Sequence, residues 1–138
     1  MEVKYDTMKF HPKRMYGSDA AWDLYALEDA IIPASGWKIV DTGLRIDIPH
    51  GYAGLVLSRS GLASRGVYVL NSPGLIDAGY IGSIRIILAN MMEFNDYEVK
   101  ESDRIAQLMI VRVEDITLAP GIFAGGARGE GGFGSTGN

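Results

Sequence analysis

The feature that most constrains this chain is how often its apolar runs are interrupted. The stretch "GWKIVDTGLRIDIPHGYAGLVLS" carries β-branched and aromatic residues broken by Gly and Pro at short intervals. Runs cut this often are too short for a helix of about 10–12 residues but long enough for strands of about 4–8. The same pattern returns in "GVYVLNSPGLIDAGYIGSIRIILAN", and "DRIAQLMIVRV" adds another strand-like run. In the former, the run "IRIIL" predicts a strand covered on both faces. One helical turn is plausible in the middle of the chain, at "SGLASRG", with Ser60 available to cap it. The pattern predicts an all-β domain, a compact jelly-roll-like barrel.

No internal repeat and no second domain are visible in the 138 residues. Composition shifts after Pro120, where strand formers give way to glycine: eight of the 18 glycines fall between Gly121 and Gly137. This predicts a barrel over residues 1–120 and an arm over 121–138, which buries too little apolar surface to offset its own ordering entropy. The chain has no cysteine, which excludes disulfides and thiolate metal sites. Its two histidines, His11 and His50, are too few and too isolated for a zinc site. A net charge of −4 argues against general binding to a nucleic-acid backbone, while leaving a small anionic ligand open. No apolar run approaches the roughly 20 residues that span a bilayer, so no membrane association is expected. "MEVKYDTMKF" lacks the hydrophobic core of a signal peptide, which makes a soluble cytoplasmic protein the expectation.

Five polar stretches stand out. "AAWDLYAL" sets Asp23 between Trp22 and Tyr25; alone it reads as a strand-end carboxylate beside packed aromatics. "SRSGLAS" offers the Arg59 guanidinium, the Ser60 hydroxyl and backbone N–H groups from Gly61 at a helix start, a cradle for phosphate that ordinary turns also resemble. "NSPGLIDAGYIG" reads as a strand-loop-strand hairpin with Asn71, Asp77 and Tyr80 near one another. A carboxylate among apolar neighbours there would have a pKa raised toward that of a general base, and an Asp capping a turn gives the same letters. "SDRIAQLMI" carries an Asp103–Arg104 pair and Gln107, a polar intrusion that needs a partner. The arm supplies Arg128, Phe133, Gly134, Ser135 and Thr136, a set suited to stacking a base and binding phosphates.

In this order the five stretches, closing with "RGEGGFGSTG", resemble the five motifs of the trimeric dUTP pyrophosphatases, from about Asp19 to the C-terminus. The resemblance implies a homotrimer of β-barrels with sites at subunit junctions, each closed by a neighbour's arm. It implies hydrolysis of dUTP to dUMP and pyrophosphate, which keeps uracil out of DNA and supplies dUMP for thymidylate synthesis. On that reading Asp77 activates the water that attacks the α-phosphorus, and Tyr80 packs on the deoxyribose and excludes a 2′-hydroxyl. Asn71 and the backbone of Leu75, Ile76 and Asp77 would read the uracil edge. Arg59, Ser60, Gly61 and Gln107 would contact phosphates, joined by Arg128, Ser135 and Thr136 at the distal ones. Phe133 and Gly134 would cover the base, with Arg85 a further binding position. Mg²⁺ is expected on the triphosphate, with Asp23 acting on it through water.

Two departures touch packing: "AAWD" where the family more often has Gly and Tyr or Phe before the Asp, and Ser102 in place of a usual Gly. The nearest rival is the dCTP deaminase of the same fold, which uses a Glu where this chain has Ile87. A regulatory protein-binding member of the family is the other alternative, and no insertion between the motifs supports it.

Overall fold

The computed structural model describes residues 1–122, 124–134 and 137. It is built almost wholly of strands. In chain order they are β1 (Lys4–Thr7), β2 (Trp22–Tyr25), β3 (Ala30–Ile32), β4 (Gly36–Asp41), β5 (Leu44–Asp47) and β6 (Tyr52–Leu57). One helical turn, α1 (Ser60–Ala63), leads into β7 (Val67–Val69), β8 (Gly74–Ile76), β9 (Arg85–Asn90), β10 (Tyr97–Val99) and β11 (Arg104–Arg112).

Two antiparallel sheets face each other. One has the order β2-β11-β6-β8 and the other β4-β9-β7, with the pairs β1-β5 and β10-β3 closing the sides. Alternate residues point inward, as in Leu44 and Ile46 of β5, where Arg45 and Asp47 point out. Leu24, Val56 and Leu108 from the first sheet meet Val40, Val67, Ile86 and Leu88 from the second in one buried cluster. This is the predicted all-β, jelly-roll-like architecture.

Three local expectations are corrected. The "IRIIL" strand, β9, is covered on one face only: Ile86 and Leu88 are buried, but Ile87 is half-buried opposite Ile39, itself 46% exposed. Among the described residues no further strand or helix packs on that outer face. Ser60 does not cap α1; it is the first helical residue, Arg59 takes the cap position, and no side chain bonds the cap. The stretch around Asp77 is not a hairpin, because β8 pairs with β6 whereas β9 pairs with β4 and β7. Residues 77–84 therefore arch from one sheet to the other.

The turn that feeds β11 is fixed by local hydrogen bonds. Asp103 accepts from the Lys100 N–H at 2.8 Å, and Asp29 accepts from the Glu101 N–H at 2.8 Å. That backbone donor, assisted by the Lys100 ammonium, holds the Asp29 carboxyl below its ordinary value. Within the turn Ser102 has φ 70°, in the left-handed region, while its N–H bonds the Ala26 carbonyl at 2.9 Å. That conformation costs a non-glycine residue about 1–2 kcal/mol, of which a glycine would return part as its own chain entropy of about 0.5–1 kcal/mol. Ser102→Gly is expected to stabilise the fold by roughly 0.5–1 kcal/mol, read as a higher denaturation midpoint. An unchanged or lower midpoint would show that the backbone carries no strain there.

Candidate active site

β11 runs between β2 and β6, and its register sets Gln107 beside Asp23 on one side and Leu57 on the other. Gln107 has the partner its position demanded: its Nε2 donates to the Ser58 carbonyl at 2.9 Å. Ser58 is pinned again where its Oγ accepts from the Val69 N–H at 2.9 Å. The end of β6 is thereby fixed, and with it the entry to α1.

Beyond that end, Arg59 Nε donates to Asp23 Oδ1 at 2.8 Å. Arg104 Nη1 reaches Asp23 Oδ2 at 3.4 Å, and Arg59 Nη1 bonds the Arg104 carbonyl at 3.4 Å. Asp23 thus organises two guanidinium groups, and Arg104 pairs with Asp23 rather than with its neighbour Asp103. Asp23 is a mid-strand residue of β2, and Trp22 and Tyr25 beside it are half-buried rather than in the core. Asp23, Arg59, Ser60, Gly61, Arg104 and Gln107 share one cleft of about 460 Å³. A Cβ at Gly61 would meet nothing of this chain, so close approach from outside is open there.

A second cavity, of about 270 Å³, lies between the two sheets' edges at the arch. Leu75, Ile76, Asp77, Tyr80 and Arg85 line it, backed by the apolar wall of Ile39 and Ile87. Asp77 is exposed on this chain rather than set among apolar neighbours. The Tyr80 N–H bonds the Asp77 carbonyl at 3.2 Å, and Gly79, at φ 83°, supplies the turn between them. Asn71 lies elsewhere, packed at Gly74 at the start of β8. Asp77 and Tyr80 are thus brought together and Asn71 is not.

Sequence reading missed the support beneath Tyr80. A Cβ on Gly82 would lie 2.5 Å from the Tyr80 hydroxyl oxygen, so the ring occupies space that only glycine leaves. The Tyr80 hydroxyl donates to the Ser83 carbonyl at 3.1 Å, and the Ser83 hydroxyl donates to Asp41. Gly82 sits inside the quoted motif, but nothing local marks Asp41, which is 42 residues away from Ser83.

The two cavities lie at opposite ends of β6. Ile76 pairs with Gly54 at its start, and Arg59 follows Leu57 at its end. At about 3.3 Å per residue, Asp77 and Arg59 stand roughly 20 Å apart along the strand. Among the described residues the arm lines neither cavity. Arg128 bonds its own turn at Gly131, Phe133 is fully exposed at φ 47°, and Gly134 follows at φ 86°. Ser135 and Thr136 lie outside the described residues.

Residues 9–137 match the dUTPase family. The deoxyuridine 5'-triphosphate nucleotidohydrolase of Mycobacterium marinum is 44% identical over 133 residues, covering 91% of this chain and 86% of its own. The dUTPase of Staphylococcus bacteriophage 80alpha, solved with dUPNHPP, is 27% identical with TM-score 0.87, covering 99% of both chains. The dUTPase of phage phi11 of S. aureus, solved with a structural Mg(II) ion, shares the fold at 24% identity and TM-score 0.81, covering 87% of this chain and 96% of its own.

The clamp on Asp23 gives a stability prediction. Asp23→Ala would leave two guanidinium groups without their shared carboxylate, at a site where the Asp23 side chain is 17% exposed. The loss should fall between that of a surface pair and a buried one, about 1–3 kcal/mol, measured by chemical denaturation. A loss under about 0.5 kcal/mol would mean the clamp is held by something else.

Proposed function

The chain belongs to the dUTPase family, and from that premise we propose that it hydrolyses dUTP to dUMP and pyrophosphate at a site completed by further copies of itself. The observation that carries the composite site is the split along β6. A carboxylate that activates water at the α-phosphorus and a clamp that holds the phosphates must meet at one substrate, and on a single chain they are roughly 20 Å apart. A homotrimer brings the Asp77 arch of one copy against the Asp23–Arg59 cleft of the next. The apolar outer face of β4 and β9, where Trp37 is 58% and Ile39 46% exposed, gives such an assembly something to bury.

Base recognition follows from β8. It is the edge strand of its sheet, bonded to β6 on one side only. Its other edge leaves backbone donors and acceptors of Leu75, Ile76 and Asp77 free to pair with the uracil edge, with Asn71 at the start of the strand. Cytosine reverses the donor–acceptor pattern and would leave fixed groups unpaired. Ile87 and Ile39 wall the cavity with hydrocarbon, so the position where the deaminase carries its Glu offers no acid or base. That observation disfavours deamination of dCTP.

For the chemical step, Asp77 takes a proton from water as the water oxygen bonds the α-phosphorus, and pyrophosphate leaves with the electron pair of the broken anhydride bond. Tyr80 packs on the deoxyribose where a 2′-hydroxyl would clash. Arg59, Ser60, Gly61 and Gln107 hold phosphate oxygens, with Arg85 at the arch. Arg128, Ser135 and Thr136 of the arm add contacts to the distal phosphates, and Phe133 with Gly134 closes over the base.

The donor set fits magnesium carried on the nucleotide. Among the described residues no cluster of three acidic or histidine side chains could hold an ion alone. Both Asp23 oxygens already accept from arginines, which suits an ion held through its waters. When bound, Mg²⁺ neutralises charge on the phosphate oxygens.

A product assay with dUTP and the four canonical dNTPs, with and without Mg²⁺, tests this reading. dUMP and pyrophosphate should form from dUTP alone; dUMP from dCTP would promote the deaminase. Asp77→Asn keeps the shape but removes the proton acceptor, so turnover should fall by about 10² or more while nucleotide still binds. Near-normal turnover would remove Asp77 from the role of base.

Sharing of the arm is tested by mixing. Deleting residues from Ala127 onward leaves β1 to β11 whole, so the truncated chain should fold and assemble yet lose catalysis. Mixed with full-length Asp77→Asn, it should regain part of the activity, because an intact arm can then cover an intact Asp77. No recovery in mixtures that have exchanged subunits would mean that the arm does not cross over.

A further inference from the structure

We propose that Asp41, acting through Ser83, positions the Tyr80 ring and so sets how strongly the site prefers deoxyribose to ribose. The inference rests on the reading of Tyr80 as the residue that faces the sugar.

Ser83 lies on the arch, outside any strand. The peptide that carries its carbonyl is held on one side by the Ile84 N–H, which donates to the Leu44 carbonyl at 2.7 Å, and on the other by the Ser83 side chain. Ser83 Oγ donates to Asp41 Oδ1 at 2.5 Å, and the same oxygen accepts from the Gly43 N–H at 2.8 Å. Asp41 ends β4 and its carbonyl accepts from the Leu27 N–H at 2.9 Å, so the carboxylate projects from a fixed backbone. The Ser83 carbonyl then receives the Tyr80 hydroxyl at 3.1 Å. A continuous chain of hydrogen bonds thus runs from the end of β4 to the tip of the ring, whose hydroxyl end stands over Gly82 with no room for a Cβ beneath it.

Exclusion of a single hydroxyl depends on ring position at the scale of an ångström or less. Tyr80 is 42% exposed, so packing alone leaves its ring free to swing outward. The tether through Ser83 opposes that swing. Asp41 touches no substrate on this reading and is a positioning residue, relayed by Ser83 from the wall of the cavity.

The test compares kcat/KM for dUTP and for UTP in the full-length protein, with melting and sedimentation recorded for each variant. Asp41→Ala and Ser83→Ala should each lower the dUTP/UTP ratio about tenfold, the scale of a small displacement at a reacting site. Combining them should add little, because they break one connection. Asp41→Asn keeps an acceptor for both donors and should keep the ratio within about twofold. In a Tyr80→Phe background, which has no hydroxyl to hold, Asp41→Ala should have no further effect on the ratio.

If Asp41→Ala does not fold, Ser83→Ala, which deletes one oxygen, carries the comparison. A ratio unchanged in folded Asp41→Ala and Ser83→Ala, with Tyr80→Ala lowering it, would overturn this inference and leave the sugar-facing role of Tyr80 standing. A ratio unchanged in Tyr80→Ala would overturn that role and this inference with it.

Discussion

The site depends first on β11 having two partners. A nine-residue strand pairs with β2 along one edge and β6 along the other. That double pairing brings Asp23, from early in the chain, next to the end of β6, more than thirty residues later. Gln107 then seals the junction by bonding Ser58. Without that seal the Ser58 carbonyl would be a half-buried acceptor lacking a donor, which costs about 1–3 kcal/mol. The seal leaves Arg59 with one direction to point, toward Asp23. Arg104 and the Arg59 cradle become one clamp on Asp23 because β11 pairs with both β2 and β6.

The same register divides the machinery. β6 is six residues long, and it carries the clamp at one end and the Asp77 arch at the other. No movement of side chains closes a gap of roughly 20 Å. The division gives the outer face of β9 its meaning. Ile39 is 46% exposed and Ile87 half-buried, and both wall the cavity at Asp77. An assembly that completes the site would also cover the face, so stability of the oligomer and catalysis would draw on the same contacts.

Local chemistry was legible in the sequence wherever a residue announces itself through its neighbours. Gly79 and Tyr80 beside Asp77, the glycine-rich arm, and Gln107 intruding on an apolar strand all belong to this kind. What could not be read was any property set by the far side of the fold. The arch reads as a hairpin in sequence because the alternation around Asp77 fits either partner, and only the register with Gly54 decides it. Ser60 was expected to cap because Ser is a good cap, yet the chain leaves β6 with Arg59 still extended at ψ 132°, which puts Ser60 inside the first turn. Both-face burial of "IRIIL" was inferred from composition, which reports the face that needs covering but not which chain covers it. Asp41 left no trace at all, since an Asp before a Thr-Gly turn is ordinary and its second partner is distant in sequence.

The arm completes the argument from entropy. Its hydrogen bonds among the described residues are local, such as Gly129 to Gly126 and Arg128 to Gly131. Phe133 touches no part of its own barrel that would hide it from water. On the proposed function, an arm held this loosely would be ordered by the site it closes upon. Each residue fixed costs about 1–2 kcal/mol of backbone entropy, and glycine costs most. The free energy for closure must then come from the ligand, through base stacking and charge-assisted bonds to phosphate. A nucleotide that fills the base cavity but lacks the distal phosphates would supply only part of it. On the proposed function, closure would therefore follow the triphosphate and relax on its cleavage, and the same arm would shield the reacting complex and release the product.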